Sequence, residues 1–291
     1  MGTLYLVSTP IGNLEDLTAR ARRILGEVET ILAEDTRRTG ILLRHLDLRR
    51  PLLSLHRHNE EARGREVLDV LQSGRDLALV SDAGTPLLSD PGERLVSRVL
   101  DAGHAVVPVP GPSAILAALV ASGLPALPFT FLGFVPRKGR ERTRFLERVA
   151  GTEETVVAFE SPERTGALLD DLADSCGSDR RAAVARELTK VHEEVRRGTL
   201  GELARYYRQE APRGEVTVVV APAGGVEDAE EVDREAAAAL GRGLLRQGSS
   251  PSRAAREVAR RLGIPRNRAY EILQELSDES RVPTDEGPTD T

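Results

Sequence analysis

Three loops of the chain carry the residue types that a small-molecule site needs. The longest reads Ser81-Asp82-Ala83-Gly84-Thr85-Pro86-Leu87-Leu88-Ser89-Asp90-Pro91-Gly92 and follows the apolar run LALV. Gly84 lets backbone approach a ligand closely, and the Asp82 carboxylate accepts hydrogen bonds from a ribose hydroxyl or an ammonium group. Pro91 suits the first position of a following helix, with Asp90 as its cap. The second loop, Pro110-Gly111-Pro112-Ser113-Ala114, leads into a helix with Ser113 at its N-cap. Its exposed N–H groups and small side chains would admit a flat purine, although the same residues read equally as a turn. The third loop, Ser8-Thr9-Pro10-Ile11-Gly12-Asn13-Leu14, follows LYLV. Its single glycine does not meet the three-glycine dinucleotide pattern, which argues against an ordinary nicotinamide site.

His56 and His58 alternate near Glu60. On a strand both imidazoles would share a face, but no third ligand stands at metal spacing, so the expected metal complement is none. A loop role or substrate contact for His58, Asn59 and Glu60 fits better. The lone Cys176 excludes an internal disulfide and reads as a half-buried spectator in a reducing compartment.

The elements that must hold these loops alternate short apolar runs with helical stretches. LYLVS, TILAED, LLSL, LALVS and AVVPVP read as strands, and LTARARRILGEV, RTGILLRHL, EARGREVLDVLQS and PGERLVSRVLDAG as helices. This is an α/β pattern, in which loops after parallel strands share the carboxyl edge where ligands bind. Regular structure breaks at SGLPALPFT, which sets a first domain at residues 1–122. TVVAFE, PERTGALLDDLADS, RAAVARE, LGELARYYRQ and EVTVVVAP repeat the α/β logic in a second domain at 129–222. AGGVEDAEE reads as an acidic linker. Residues 232–278 then read as a small helical module resembling a helix-turn-helix, and 279–291 as a disordered polar tail.

With 291 residues, 40% of them hydrophobic and 30% charged, the chain suits two domains and a short extra module. A net charge of −6 argues against uniform coating of nucleic acid, so local patches matter more. Residues 137–148 hold six basic side chains against two acidic, and 242–268 eight arginines against one glutamate. Arg137, Lys138 and Arg140 in the first patch, and Arg253, Arg266 and Arg268 in the second, are the expected RNA contacts. No stretch approaches 18 apolar residues and the N-terminus has no basic segment before an apolar one, so a cytoplasmic protein without a membrane partner is expected.

The unbroken order STPIGNLEDLT, AEDTRRTGILL, HRHNE, SDAGTPLLSDPG, PGPSAILAALVASGLP, FTFLGFVPRKGRER, FESPERTGALLDDL and ARELTKVHEE resembles the ribosomal small-subunit methyltransferase I family. These are 16S rRNA cytidine-2′-O-methyltransferases of the tetrapyrrole (corrin/porphyrin) methylase superfamily. The resemblance covers about residues 3–222. It implies two α/β domains of the tetrapyrrole methylase fold, a homodimer, and S-adenosylmethionine bound between the domains. It further implies transfer to cytidine 1402 of 16S rRNA in the small ribosomal subunit. By motif position the cofactor contacts would be Pro10, Asp82, Ala83, Gly84, Leu87 and Leu88, then Ser113 and Ala114. Phe134, Ser161 and Leu188 would add contacts from the second domain.

Methyl transfer from a sulfonium is an in-line displacement for which positioning supplies most of the acceleration. A ribose hydroxyl is a poor nucleophile until its proton begins to leave, so a base or polarising cation must lie within hydrogen-bond reach. Glu187, Lys190, Arg164, Asp35 and Arg37 are the candidates, and sequence does not choose among them. A tetrapyrrole methylase would instead need a large apolar acceptor site. A ligand-sensing nucleic-acid-binding regulator would bind duplex DNA without turnover. The basic patches favour an anionic polymer as acceptor over either alternative.

Overall fold

The computed structural model describes residues 1–223, 226–247, 249–262, 269–270 and 272–274. The chain divides into two compact units, Met1–Ala223 and Gly224–Thr291. The first unit holds two five-stranded sheets.

In the first sheet β1 (Thr3–Val7), β2 (Thr30–Ala33), β3 (Leu52–Ser54), β4 (Leu77–Val80) and β5 (Ala105–Val109) run parallel in the order β3-β2-β4-β1-β5. Helices α1 (Ala19–Glu27) and α2 (Thr36–His45) pack Ile24, Leu25 and Leu43 against one face. Helices α3 (Glu60–Gln72) and α4 (Glu93–Asp101) pack Val67, Leu71, Leu95 and Val99 against the other. Burial on both faces is why the strands are near-continuous apolar runs. The connections leaving β1 and β4, which lie side by side, depart to opposite faces. Their carboxyl ends therefore form the crevice where open α/β sheets bind ligands.

Helix α4 begins at Glu93, not at Pro91, and Asp90 is not its cap. Its N-cap is Gly92, at φ 121°, where a Cβ would stand 2.8 Å from Leu79 and 2.9 Å from Leu87. With no side chain there to accept from the first turn, the buried Glu60 carboxylate does so from α3, accepting from Leu95 N–H at 2.8 Å.

The second sheet consists of β6 (Phe129–Phe134), β7 (Thr155–Glu160), β8 (Arg181–Arg186), β9 (Glu194–Thr199) and β10 (Val216–Val220), in the order β6-β7-β10-β8-β9. The α/β alternation expected of this half gives a mixed sheet, in which only β6 and β7 are parallel. The expectation missed β9, a charged edge strand (EVRRGT) without an apolar alternation, and α6 (Gly139–Gly151), read only as a basic patch. Helices α6, α7 (Pro162–Cys176) and α8 (Leu200–Gln209) cover one face, meeting Val156, Ala158, Val184 and Val218. The alternate residues Val157, Ala183, Ala185 and Val219 face the other way, onto α5 (Ala114–Ser122). This period of two sets which residues join the shared core.

In the Gly224–Thr291 unit, α9 (Val226–Arg246) begins inside the stretch expected to be a linker. The alanine- and glutamate-rich run after Gly225 has high helix propensity, which outweighs the flanking glycines. Ala237 of α9 shares an apolar cluster with Ala254, Ala255 and Val258 of α10 (Pro251–Leu262) and with Ile272 and Leu273. The expected turn, with Arg266 and Arg268, and the tail at 279–291 lie outside the described residues.

Replacing Glu60 by Ala leaves the first turn of α4 with an unmet buried donor. The expected loss of unfolding free energy in a urea titration is about 1–2 kcal/mol. An unchanged midpoint would show that Glu60 does not cap α4.

Candidate active site

The three loops meet at the crevice beyond β1 and β4. Thr9 and Gly84 exchange backbone hydrogen bonds at 2.9 and 3.0 Å, and the Ser81 hydroxyl donates to Gly84 O at 3.0 Å. The Thr85 hydroxyl donates to Pro112 O at 3.3 Å, and a Cβ on Gly111 would come within 2.9 Å of Ser8 Cβ. A close-packed floor results.

Above it lies a cavity of about 390 Å³, within the range of small-molecule sites. Asp82, Ala83, Gly84, Leu88, Ser113 and Ala114 line it from the first-sheet side, and Phe134 and Ser161 from the second sheet, all eight being expected cofactor contacts. Ser113 also caps α5, accepting from Leu116 N–H at 3.5 Å. Three expected contacts do not line the cavity. Leu87, at φ 74°, turns into the core beneath, Leu188 is buried in the apolar cluster between the sheets, and Ile11 lines the cavity where Pro10 was expected.

The walls differ in character. On the first-sheet side Glu34, Asp82 and Asp90 stand with the cation Arg38, 3.6 Å from Asp82. Burial, then the charges of Glu34 and Asp82, raise the Asp90 carboxyl to about 6. Burial and Asp82 likewise raise Glu34. The opposite wall carries Phe134, 61% exposed and 5.3 Å from the Phe159 ring, together with Glu160, Glu215 and Thr217. An excess of carboxylates facing aromatic rings suits a ligand that is cationic at one end and flat at the other.

The expected catalytic candidates separate. Asp35 caps α2 and pairs with Arg37, which holds its carboxyl down to about 2. Neither lines the cavity; the side chains on either side of them, Glu34 and Arg38, do. What Asp35 contributes is its N–H, 3.0 Å from Asp82 Oδ1. Glu187 pairs with Lys190 at 2.8 Å, and Lys190 also reaches Glu215 at 3.3 Å. The Lys190 hydrogen bond lowers the Glu187 carboxyl, and the carboxylate fills the space beside Gly214, where a Cβ would lie 1.8 Å from it. Arg164 donates to Ser161 Oγ at 2.9 Å and pairs with Glu160. Sequence reading missed Glu34, Arg38 and Glu160, and took Asp90 only as a helix cap.

His56 and His58 lie in the loop after β3, not on a strand, with ring centroids 6.0 Å apart. Asn59 closes that loop, accepting from His56 N–H at 2.8 Å and donating to Ser54 O at 3.0 Å. Among the described residues no group of His, Cys, Asp and Glu is arranged to hold a metal ion. Cys176 is half-buried against the second sheet's core, and burial raises its thiol.

Arg137, Lys138 and Arg140 are exposed around the start of α6 and make no ion pair among the described residues. Arg142 is turned away to Asp171 at 2.6 Å. Arg253 is exposed on α10.

The family model for Tetrapyrrole (Corrin/Porphyrin) Methylases matches residues 3–204. A Synechocystis protein named ribosomal RNA small subunit methyltransferase I is 44% identical over 95% of this chain and 99% of its own length. One of the same name from Micromonospora olivasterospora is 47% identical over 96% of this chain and 88% of its own. Among solved structures, the uroporphyrin-III-C-methyltransferase of Thermus thermophilus aligns with a TM-score of 0.54 at 22% identity, covering 75% of this chain and 94% of that one. A cobalt precorrin-4 methyltransferase aligns at 0.57 and 18%, with the same coverages, and at this identity the likeness concerns the fold.

Asp90 yields a pH test. Its carboxyl is about 6 in the folded chain against 3.8 ordinarily, so its favourable contribution is full below about 3.8 and is lost as pH rises through 6. Asp90→Asn should therefore raise the thermal midpoint at pH 8 by roughly 2–4 °C, with the gap closing towards pH 4. A gap that stays constant with pH would refute the assignment.

Proposed function

The chain belongs to the tetrapyrrole (corrin/porphyrin) methylases and, within them, to the ribosomal RNA small subunit methyltransferase I family, and from that membership we propose that it transfers a methyl group from S-adenosylmethionine to the ribose 2′-hydroxyl of cytidine 1402 in 16S rRNA. The observation that carries this reading is the cavity at which eight of the cofactor contacts implied by the motifs meet.

The residues fit the cofactor. Asp82 would accept from its hydroxyl or ammonium groups. Gly84, Ala83, Ser113 and Ala114 leave room for it, and Leu88, Phe134 and Ser161 close the remaining sides. The carboxylates of Glu34, Asp82 and Asp90 favour its positive charge in a site of reduced dielectric. When bound, it supplies an electrophilic methyl group on a cationic sulfur. The protein contributes alignment of the hydroxyl with that methyl, exclusion of water and removal of the hydroxyl proton.

Arg137, Lys138 and Arg140 hold the phosphates flanking the target, and Arg253 of α10 is a separate expected RNA contact. Sequence-specific RNA recognition targets mostly single-stranded or splayed nucleotides, which suits guanidinium groups that both stack on bases and bind phosphate. 16S rRNA of the small subunit is the acceptor and the cytoplasm the place of reaction; no helix among the described residues is long and apolar enough to cross a membrane. The chain works as a homodimer. Leu116, Val120 and Leu127 on and beside α5 are exposed, which supports a subunit contact there. A tetrapyrrole acceptor accords with the fold likeness but leaves the basic edge without a purpose.

Incubation with labelled S-adenosylmethionine and small subunits lacking the modification should yield 2′-O-methylcytidine at one position, read by mass spectrometry of nucleosides. Binding of S-adenosylhomocysteine without any labelled RNA would refute the substrate and turn attention to tetrapyrroles. Replacing Arg137, Lys138 and Arg140 together by Ala should weaken subunit binding and reduce the slope of log affinity against log salt by about 2. An unchanged slope would remove this edge from the RNA contact.

A further inference from the structure

Building on the methyl-transfer reading above, we propose that a second cavity, beside the first, receives the nucleotide next to the methylated one in the RNA strand. This cavity has a volume of about 390 Å³ and lies between the loop after β8 and the segment joining α8 to β10. Arg186, Glu187, His192, Tyr206, Glu210 and Arg213 line it.

The two cavities share a wall. Arg213 lines the second, while the next two residues, Gly214 and Glu215, line the first. Two residues of extended chain span at most about 7 Å. The Glu187 carboxylate packs where a Cβ on Gly214 would stand, and Lys190 Nζ joins Glu187 at 2.8 Å to Glu215 at 3.3 Å. Glu187 and Thr189 hold this wall at φ 50° and 66°, a kind of backbone that clusters at ligand clamps. A polymer with one ribose at the first cavity therefore has its neighbour at the second.

The lining has the chemistry of a nucleotide site. Arg186 pairs with Glu194 at 2.7 Å, and Glu194 also holds Arg196 at 2.6 Å. The Arg196 guanidinium lies 3.6 Å over the Tyr206 ring and fixes it. The Tyr206 hydroxyl donates to Glu210 at 3.1 Å, which keeps that carboxylate at the edge of the ring. Glu187 and Glu194 are thus neutralised within the chain. Arg213 and His192 are exposed, and their side chains make no ion pair or hydrogen bond among the described residues. The aromatic ring gives a base a surface to stack on, Glu210 accepts from its amino group, and Arg213 and His192 donate to its phosphate. A free phosphate would use the two donors and not the ring.

The test compares wild type with Arg213→Ala and Tyr206→Leu, with thermal midpoints recorded to confirm folding. Binding to small subunits lacking the modification is measured over a range of salt, together with KM for methylation and calorimetric titration with S-adenosylhomocysteine. Arg213→Ala should raise KM and reduce the slope of log affinity against log salt by about 0.7, the share of one phosphate on a single strand. Tyr206→Leu should weaken subunit binding about tenfold with the slope unchanged. Both should keep the wild-type affinity for S-adenosylhomocysteine. If Tyr206→Leu folds poorly, ultraviolet crosslinking of wild type to small subunits decides: attachment of the Tyr206 peptide to a nucleotide beside the target is expected, and attachment elsewhere or none overturns the proposal. Variants that bind subunits like wild type, a loss confined to Arg213→Ala, or a parallel loss of S-adenosylhomocysteine affinity also overturn it. Wild type that binds S-adenosylhomocysteine but methylates no RNA overturns the functional reading instead.

Discussion

The cleft depends on the packing of one helix, α5, against the second sheet. α5 is apolar on nearly every side, and Ile115, Ala118 and Leu119 bury against Val157, Ala183, Ala185 and Val219 of the second sheet. Its first residue, Ala114, and its cap, Ser113, line the cavity. The docking that buries this face of α5 therefore also brings the loops of the first sheet opposite Phe134 and Ser161. Its far end is fixed as well. Gly123, at φ 73°, ends the helix, and the Arg197 guanidinium from β9 donates to Ala121 O at 3.0 Å, a cation placed where the helix dipole favours one. Ile11 and Leu188, from loops on either side of the cleft, join the same cluster.

Around this rigid centre the loops hold conformations that ordinary residues avoid. Of the five non-glycine residues at positive φ among those described, Leu87 and Ser89 lie in a cleft loop, and Glu187 and Thr189 in the loop after β8, which meets the loop after β1. Such backbone costs of order 1–3 kcal/mol per residue and persists where the surrounding structure over-determines it. Thr189 shows how: its hydroxyl accepts from Asn13 N–H at 3.0 Å, tying the second sheet's loop to the first. Asp90 adds an electrostatic cost, since a carboxylate crowded by Glu34 and Asp82 destabilises the chain that holds it. A site shaped for a cation carries both costs when nothing is bound.

The first sheet was legible because its signals are local. Four- and five-residue apolar runs, each followed by Gly, Pro, Ser or Asp, announce parallel strands with functional loops, and the structure places all three loops at one crevice. The second sheet was less so, because antiparallel pairing of β8 and β10 and the charged edge strand β9 arise from long-range partners. The site failed by one residue in several places. AEDTRR marked the right segment, yet Glu34 and Arg38 line the cavity where Asp35 and Arg37 were expected, and SDAGTPLL supplied Leu88 but not Leu87. A motif fixes a segment; which side chains of it enter the cavity is set by the end of a strand or a positive φ.

The central claim is that the cofactor lies between the sheets, against the first turn of α5. Calorimetric titration of S-adenosylhomocysteine into wild type and Ala114→Trp, with thermal midpoints recorded to confirm folding, tests it most directly. The account predicts one site per chain in wild type and a loss of about tenfold or more when the indole fills the cavity. Equal affinity in a folded Ala114→Trp protein would contradict it and move the cofactor elsewhere.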